Sequence, residues 1–108
     1  MRRGELWTVA GGVYASKPRP AVILQDDQFS DTESVTVVPL TTTAVDAPLL
    51  RVPIAAGPRT GLAQDSWVEI DKTTTIRRDR VGQRIGQLSP AELRTVERSV
   101  TVFLGLAR

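Results

Sequence analysis

The chain contains neither cysteine nor histidine. The first absence excludes disulfides, thiolate metal sites and cysteine nucleophiles. The second removes the commonest general base and the commonest metal ligand together. Zinc hydrolase and Ser-His-Asp readings are thereby set aside. Lysine is nearly absent as well, occurring only at Lys17 and Lys72, so almost all positive charge is arginine. Arginine suits bidentate recognition of phosphate or carboxylate, although GC-rich codon usage produces the same bias. No apolar run is long enough to span a membrane. The two arginines at Arg2 and Arg3 have no apolar stretch behind them, so the start does not read as a signal peptide. The chain reads as a soluble cytoplasmic protein.

What is present is an ordinary globular mixture in one domain over residues 1–108, with 41% apolar and 24% charged residues. The net charge of +2 does not by itself argue for nucleic-acid binding. Short strands are predicted one after another. They fall at Glu5 to Val9, Pro20 to Gln25, Ser34 to Leu40, Leu49 to Ile54, Ser66 to Ile70, Thr73 to Ile76 and Gln83 to Leu88. A short helical turn is expected between Arg77 and Val81. Ala55 to Gly61 reads as a turn-rich connector. At the C-terminus, Ser89-Pro90-Ala91-Glu92 has the form of a capping box with proline at the first helical position. Leu93, Val96, Val100, Phe103 and Leu104 then follow helical spacing and predict one apolar core face, ending near Gly105. Many short strands followed by one amphipathic helix argue for a small bent sheet or barrel capped by a helix.

Three clusters bear on chemistry. Lys17-Pro18-Arg19-Pro20 reads either as an anion site held by restricted backbone or as a stiff loop with a solvated arginine. Thr41-Thr42-Thr43 closes a core strand, where hydroxyls bind phosphate or simply cap a turn. The run from Asp71 to Arg80 lines a polyanion groove or forms a charged turn with local ion pairs. Among the aromatics, Trp7 and Trp67 alternate with polar neighbours and fit core or subunit-interface roles. Tyr14, on the Gly-rich loop, stacks on a base or is an ordinary exposed residue.

Taken together, these pieces resemble the MazF/PemK-like toxins of bacterial toxin–antitoxin systems. The matching runs are Arg3-Gly4-Glu5-Leu6-Trp7, Arg19-Pro20-Ala21-Val22-Ile23-Leu24 and Val37-Val38-Pro39-Leu40-Thr41. They continue through Asp71-Lys72-Thr73-Thr74-Thr75-Ile76 with Arg80, Ile85-Gly86-Gln87-Leu88-Ser89 and Leu104-Gly105-Leu106. The resemblance implies a mainly β fold with a C-terminal helix, an SH3-like barrel of the MazF/CcdB type, forming a two-fold homodimer. It implies a sequence-specific endoribonuclease that cuts single-stranded RNA without a metal or other cofactor. It also implies a cognate antitoxin that binds the dimer.

Carried over residue by residue, the catalytic pair is Arg19 and Thr41. Thr42 and Thr43 assist. Tyr14, Ser16 and Lys17 hold flanking nucleotides, and Lys72 and Arg77 contact RNA across the groove. The loop from Gly11 to Pro18 lacks the glutamate that many relatives carry there. Two other readings stand beside this one: a same-fold poison of DNA gyrase, and a nucleic-acid-binding module without activity.

Overall fold

A computed structural model describes residues 1–10 and 17–107. Seven strands precede one helix: β1 (Glu5–Val9), β2 (Arg19–Ile23), β3 (Ser34–Thr41), β4 (Arg51–Ile54), β5 (Ser66–Glu69), β6 (Thr74–Arg77), β7 (Val81–Gln87) and α1 (Pro90–Phe103). The sheet is antiparallel, in the order β4-β5-β3-β2-β1-β7, with β6 also paired to β3. The eight residues of β3 allow one edge to serve two partners. Ser34 to Val37 pair with β6, whereas Leu40 and Thr41 pair with β5. Between them stands Pro39, which has no N–H to donate. The sheet divides there and curls into an open, barrel-like form.

Alternation along the strands produces two cores. Leu6, Val22, Val38, Leu40, Val52, Ile54 and Val68 face one way and pack with Ile70, Leu88, Val96 and Val100. Val9, Ala21, Ile23, Val35 and Val37 face the other way, with Trp7, Ile76 and Val81 against them. Both faces of β2 and β3 are therefore buried, which explains their nearly continuous apolar runs.

The helix begins as its sequence predicts. Ser89 Oγ accepts from the Glu92 amide at 3.1 Å, and Glu92 Oε1 accepts from the Ser89 amide at 2.7 Å. Such a cap contributes about 1 kcal/mol. Val96 and Val100 are buried and Leu93 half-buried, so the first three turns cover the core. The expected apolar face does not continue to the end: Phe103 is 47% and Leu104 56% exposed. α1 packs against the Ile70–Lys72 turn and β4, and its last turn is left exposed.

Two local differences have similarly simple causes. The fourth strand starts at Arg51 rather than Leu49, because the Leu50 amide bonds back to Ala47 O at 2.9 Å and closes a turn after Pro48. Ile70 leaves its strand for a single turn of 3-10 helix, Ile70–Lys72, with its side chain still in the core. The predicted turn after β6 is a 3-10 turn, Arg78–Arg80. The connector before β5 lies against β7, with the Gln87 amide donating to Arg59 O at 2.9 Å. That approach requires glycine: a Cβ on Gly86 would stand 2.3 Å from the Thr60 backbone, and one on Gly61, at φ +72°, 2.0 Å from Ile85 O.

Candidate functional site

The strand register puts the candidate catalytic pair on neighbouring strands, Arg19 on β2 and Thr41 on β3. Ala21 pairs with Pro39 and Val22 with Val38. The paired residues end there; the same register continued by two residues would bring Arg19, the first residue of β2, opposite Thr41, the last of β3. Directly opposed residues of an antiparallel pair project from the same face. Thr41 in turn pairs with Trp67, and Trp67 with Pro53. Arg19, Thr41, Trp67 and Pro53 therefore form one row across four strands, on the face turned away from the α1 core. With strands about 4.8 Å apart, the first three span roughly 10 Å.

The local sequence fixes each member. Pro18 and Pro20 confine the backbone on both sides of Arg19. Pro20 pairs with Thr8, and Arg19 itself pairs with Val9 of β1. The Arg19 side chain is exposed and has no hydrogen-bond or ion-pair partner among the described residues. Thr41 is half-buried at the end of β3, and its Oγ1 accepts from the Thr43 amide at 3.1 Å. Its hydroxyl proton is left to donate outward. Thr42 and Thr43 follow, both exposed. Lys17 is exposed two residues before Arg19 and is likewise unpartnered among the described residues. Tyr14 and Ser16 lie outside the described residues.

The other two candidate cations stand apart. Lys72 Nζ is 3.2 Å from Glu69 Oε2. Glu69 also lies 3.7 Å from Arg51, whose guanidinium reaches Asp71 at 2.5 Å and the Leu50 carbonyl at 2.9 Å. The Arg51 hydrogen bond holds the Asp71 carboxyl below its usual pKa against a smaller opposing effect of burial, and the Arg51 and Lys72 charges add to the lowering. Thr74, two residues beyond Lys72, pairs with Val37, about 13 Å of strand from Thr41. Arg77 pairs with Ser34 at the opposite end of β3, about 23 Å of strand from Thr41, and binds Asp79 at 2.8 Å.

Two residues join the site that the sequence did not assign to it. The Ala10 amide donates to Arg80 O at 2.8 Å, and Val9 pairs with both Arg19 and Val81. Arg80, exposed and unpartnered among the described residues, thus stands at the Arg19 end of the sheet. Its signal was its place in the basic run from Asp71. Trp67 is the other: its buried neighbours Ser66 and Val68 already turn it outward by alternation.

The arrangement offers one positive guanidinium on β2 and one hydroxyl donor at the end of the neighbouring β3, with Lys17 and Arg80 near the former. Such donors hold the non-bridging oxygens of a phosphodiester. Among the described residues, no group of three or more carboxylates is placed to hold a metal ion. Nor is any helix among them long and apolar enough to cross a membrane.

Comparison with known proteins points the same way. A family model described as "PemK-like, MazF-like toxin of type II toxin-antitoxin system" matches residues 2–104. A probable endoribonuclease MazF of Mycolicibacterium smegmatis is 49% identical, with 99% of each chain covered. Endoribonuclease MazF9 of Mycobacterium tuberculosis is 32% identical, with 98% of each covered. A solved mycobacterial endoribonuclease in complex with its cognate antitoxin superposes with a TM-score of 0.81 at 26% identity, covering 100% of this chain and 98% of the other.

Proposed function

Because this chain belongs to the PemK-like, MazF-like toxins of type II toxin–antitoxin systems, we propose that it acts as a metal-independent, sequence-specific endoribonuclease on single-stranded RNA. The observation that supports the proposal is the exposed, unpartnered Arg19 guanidinium at the start of β2, next to the strand that Thr41 ends. An arginine left without a carboxylate beside a free hydroxyl donor is arranged for a ligand anion rather than for stability.

In the proposed reaction the ribose 2′-oxygen attacks the adjacent phosphorus and gives up its proton to solvent. The bond from phosphorus to the 5′-oxygen breaks, and that oxygen takes up a proton. The products are a 2′,3′-cyclic phosphate and a 5′-hydroxyl. Arg19 neutralises the charge that builds on the pentavalent phosphorus and passes a proton to the leaving oxygen, regaining one from solvent. Its very high pKa makes it unsuited to removing one. Thr41 donates to a non-bridging oxygen, with Thr42 and Thr43 beside it. Lys17 and Arg80 hold the neighbouring phosphates, and Tyr14 and Ser16 the neighbouring nucleotides. Lys72, engaged by Glu69, serves the groove farther along β3. Arg77 is too distant along β3 to act on the same phosphate within one protomer.

The protein works as a cytoplasmic homodimer, a two-fold axis joining two half-grooves. A cognate antitoxin laying an acidic extended segment over Lys17, Arg19 and Arg80 competes with RNA there.

The test is cleavage of a long single-stranded transcript in EDTA, with mapping of the new 5′ ends. Discrete cuts bearing 5′-hydroxyls, lost in Arg19→Ala, are the expected result. No cutting across a diverse transcript, or gyrase-linked DNA breaks in its place, overturns the proposal. Equal cutting by both proteins removes Arg19 from the mechanism.

A further inference from the structure

Trp67 is an indole without a structural task. It belongs to neither hydrophobic core, whereas Trp7, the other tryptophan, packs against the second. Trp7 Nε1 donates to Glu5 Oε1 at 3.1 Å, but the Trp67 N–H has no partner among the described residues. Its neighbours across the ladders are Thr41 on one side and Pro53 on the other, and Pro53 is exposed. Beside it lies a concavity of about 380 Å³ that Pro53, Ala55, Asp65 and Glu92 also line.

We infer that Trp67 is the stacking surface for a nucleobase next to the scissile phosphate, and so a determinant of which RNA sequence is cut. The inference rests on the ribonuclease reading above and deepens it. Its support is positional. A phosphate held between Arg19 and Thr41 is one strand spacing from the indole, within reach of the base on the adjoining ribose. Charge decides the orientation. Arg19, with Lys17 and Arg80 near it, stands on β2, across β3 from the indole on β5, so the sugar-phosphate chain keeps to the Arg19 side and the uncharged base turns towards Trp67. An indole face accepts any base by stacking, while its free N–H adds a donor to base edges or to the ribose.

Trp67→Ala and Trp67→Phe are compared with wild type on the transcript used to map the cuts, together with Arg19→Ala. For Trp67→Ala, KM is expected to rise about ten- to a hundredfold with kcat retained within a few-fold. Selectivity at one position beside the cut is expected to relax, and Trp67→Phe to restore most of both. A single-stranded DNA of the cut-site sequence lacks the attacking hydroxyl and serves as a binding probe. It is expected to quench wild-type indole fluorescence but not that of Trp67→Phe, whose one indole is Trp7. Unchanged KM and cut-site distribution in a folded Trp67→Ala, or equal quenching in both proteins, overturns the inference and leaves the ribonuclease reading intact. So does a dimer or antitoxin complex lost on size exclusion with the cut sites unaltered, which makes Trp67 a protein contact. A wild type that does not cut overturns both.

Discussion

The amide of Thr43 donates to Oγ1 of Thr41 at 3.1 Å, so the chain folds back on the hydroxyl that ends β3. One acceptor site of that oxygen is occupied, and its proton is available to a ligand. Thr41→Val removes the donor and keeps the shape. The expected fall in kcat is about a hundredfold, the usual effect of losing one donor to developing charge. The folded state loses about 1 kcal/mol with the Thr43 bond. Single-turnover cleavage and a urea melt separate the two effects.

Arg51 is the structural counterpart of Arg19. Its side chain is 10% exposed, and it meets Glu69, Asp71 and the Leu50 carbonyl. Arg51→Ala leaves the exposed Asp71 without its partner, while Glu69 keeps Lys72 and the Leu50 carbonyl keeps the Ile70 amide, and is expected to cost about 1–2 kcal/mol. Apolar replacement of both Arg51 and Glu69 is expected to recover part of that loss. Denaturant midpoints measure both, and cutting by the folded protein is expected to survive in each case.

Gly86→Ala tests the contact between the connector and β7. The added methyl meets the Thr60 carbonyl, which the backbone on both sides holds in place. A loss of the order of 3 kcal/mol is expected. A thermal midpoint within a degree or two of wild type would show that the connector can move away.

Acid should destabilise the protein through Glu92 and Glu5, in addition to Asp71. Burial raises the pKa of Glu92, but bonds from Arg59 and from the Ser89 amide, with the Arg59 charge, outweigh it and leave the pKa below 4.5. Glu5 is lowered the same way: burial opposes it, and the Arg2 amide, Trp7 Nε1 and Arg84 prevail. A carboxyl with a lower pKa folded than unfolded stabilises above its unfolded value, and that stability is lost as pH falls through the folded value. Stability is therefore expected to be level with respect to these two groups near neutrality and to decline below about pH 4.5. Glu92→Gln is expected to flatten the decline, as read from denaturation at several pH values. An unchanged slope would remove Glu92 as a source of it.

Much of this was legible in the residues. β-branched runs marked β2 and β3, because strands buried on both faces leave little room for polar residues. The capping box placed the start of α1 to the residue, because that signal is purely local. Arg19 stood out through its two prolines. The roles of the other cations were not legible, since ion pairing depends on what the fold brings near. Lys72 finds Glu69 three residues away on the 3-10 turn, and Arg77 finds Asp79, whereas Arg80 is left open beside Ala10. The reach of the apolar face of α1 was hidden for a related reason, because helical spacing records periodicity but not how far the helix is covered by its neighbours.

By itself the sequence determined the chemistry that was possible: without histidine or cysteine, arginine and hydroxyl groups remain as the strong donors to a phosphate. It also determined where strands alternate and where the helix starts, which are properties of neighbouring residues. Only the tertiary structure decided that Arg19, Thr41 and Trp67 share one row. Their alignment depends on the pairing of β2 with β3 and of β3 with β5, and a slip of one residue in either ladder would send a side chain to the opposite face.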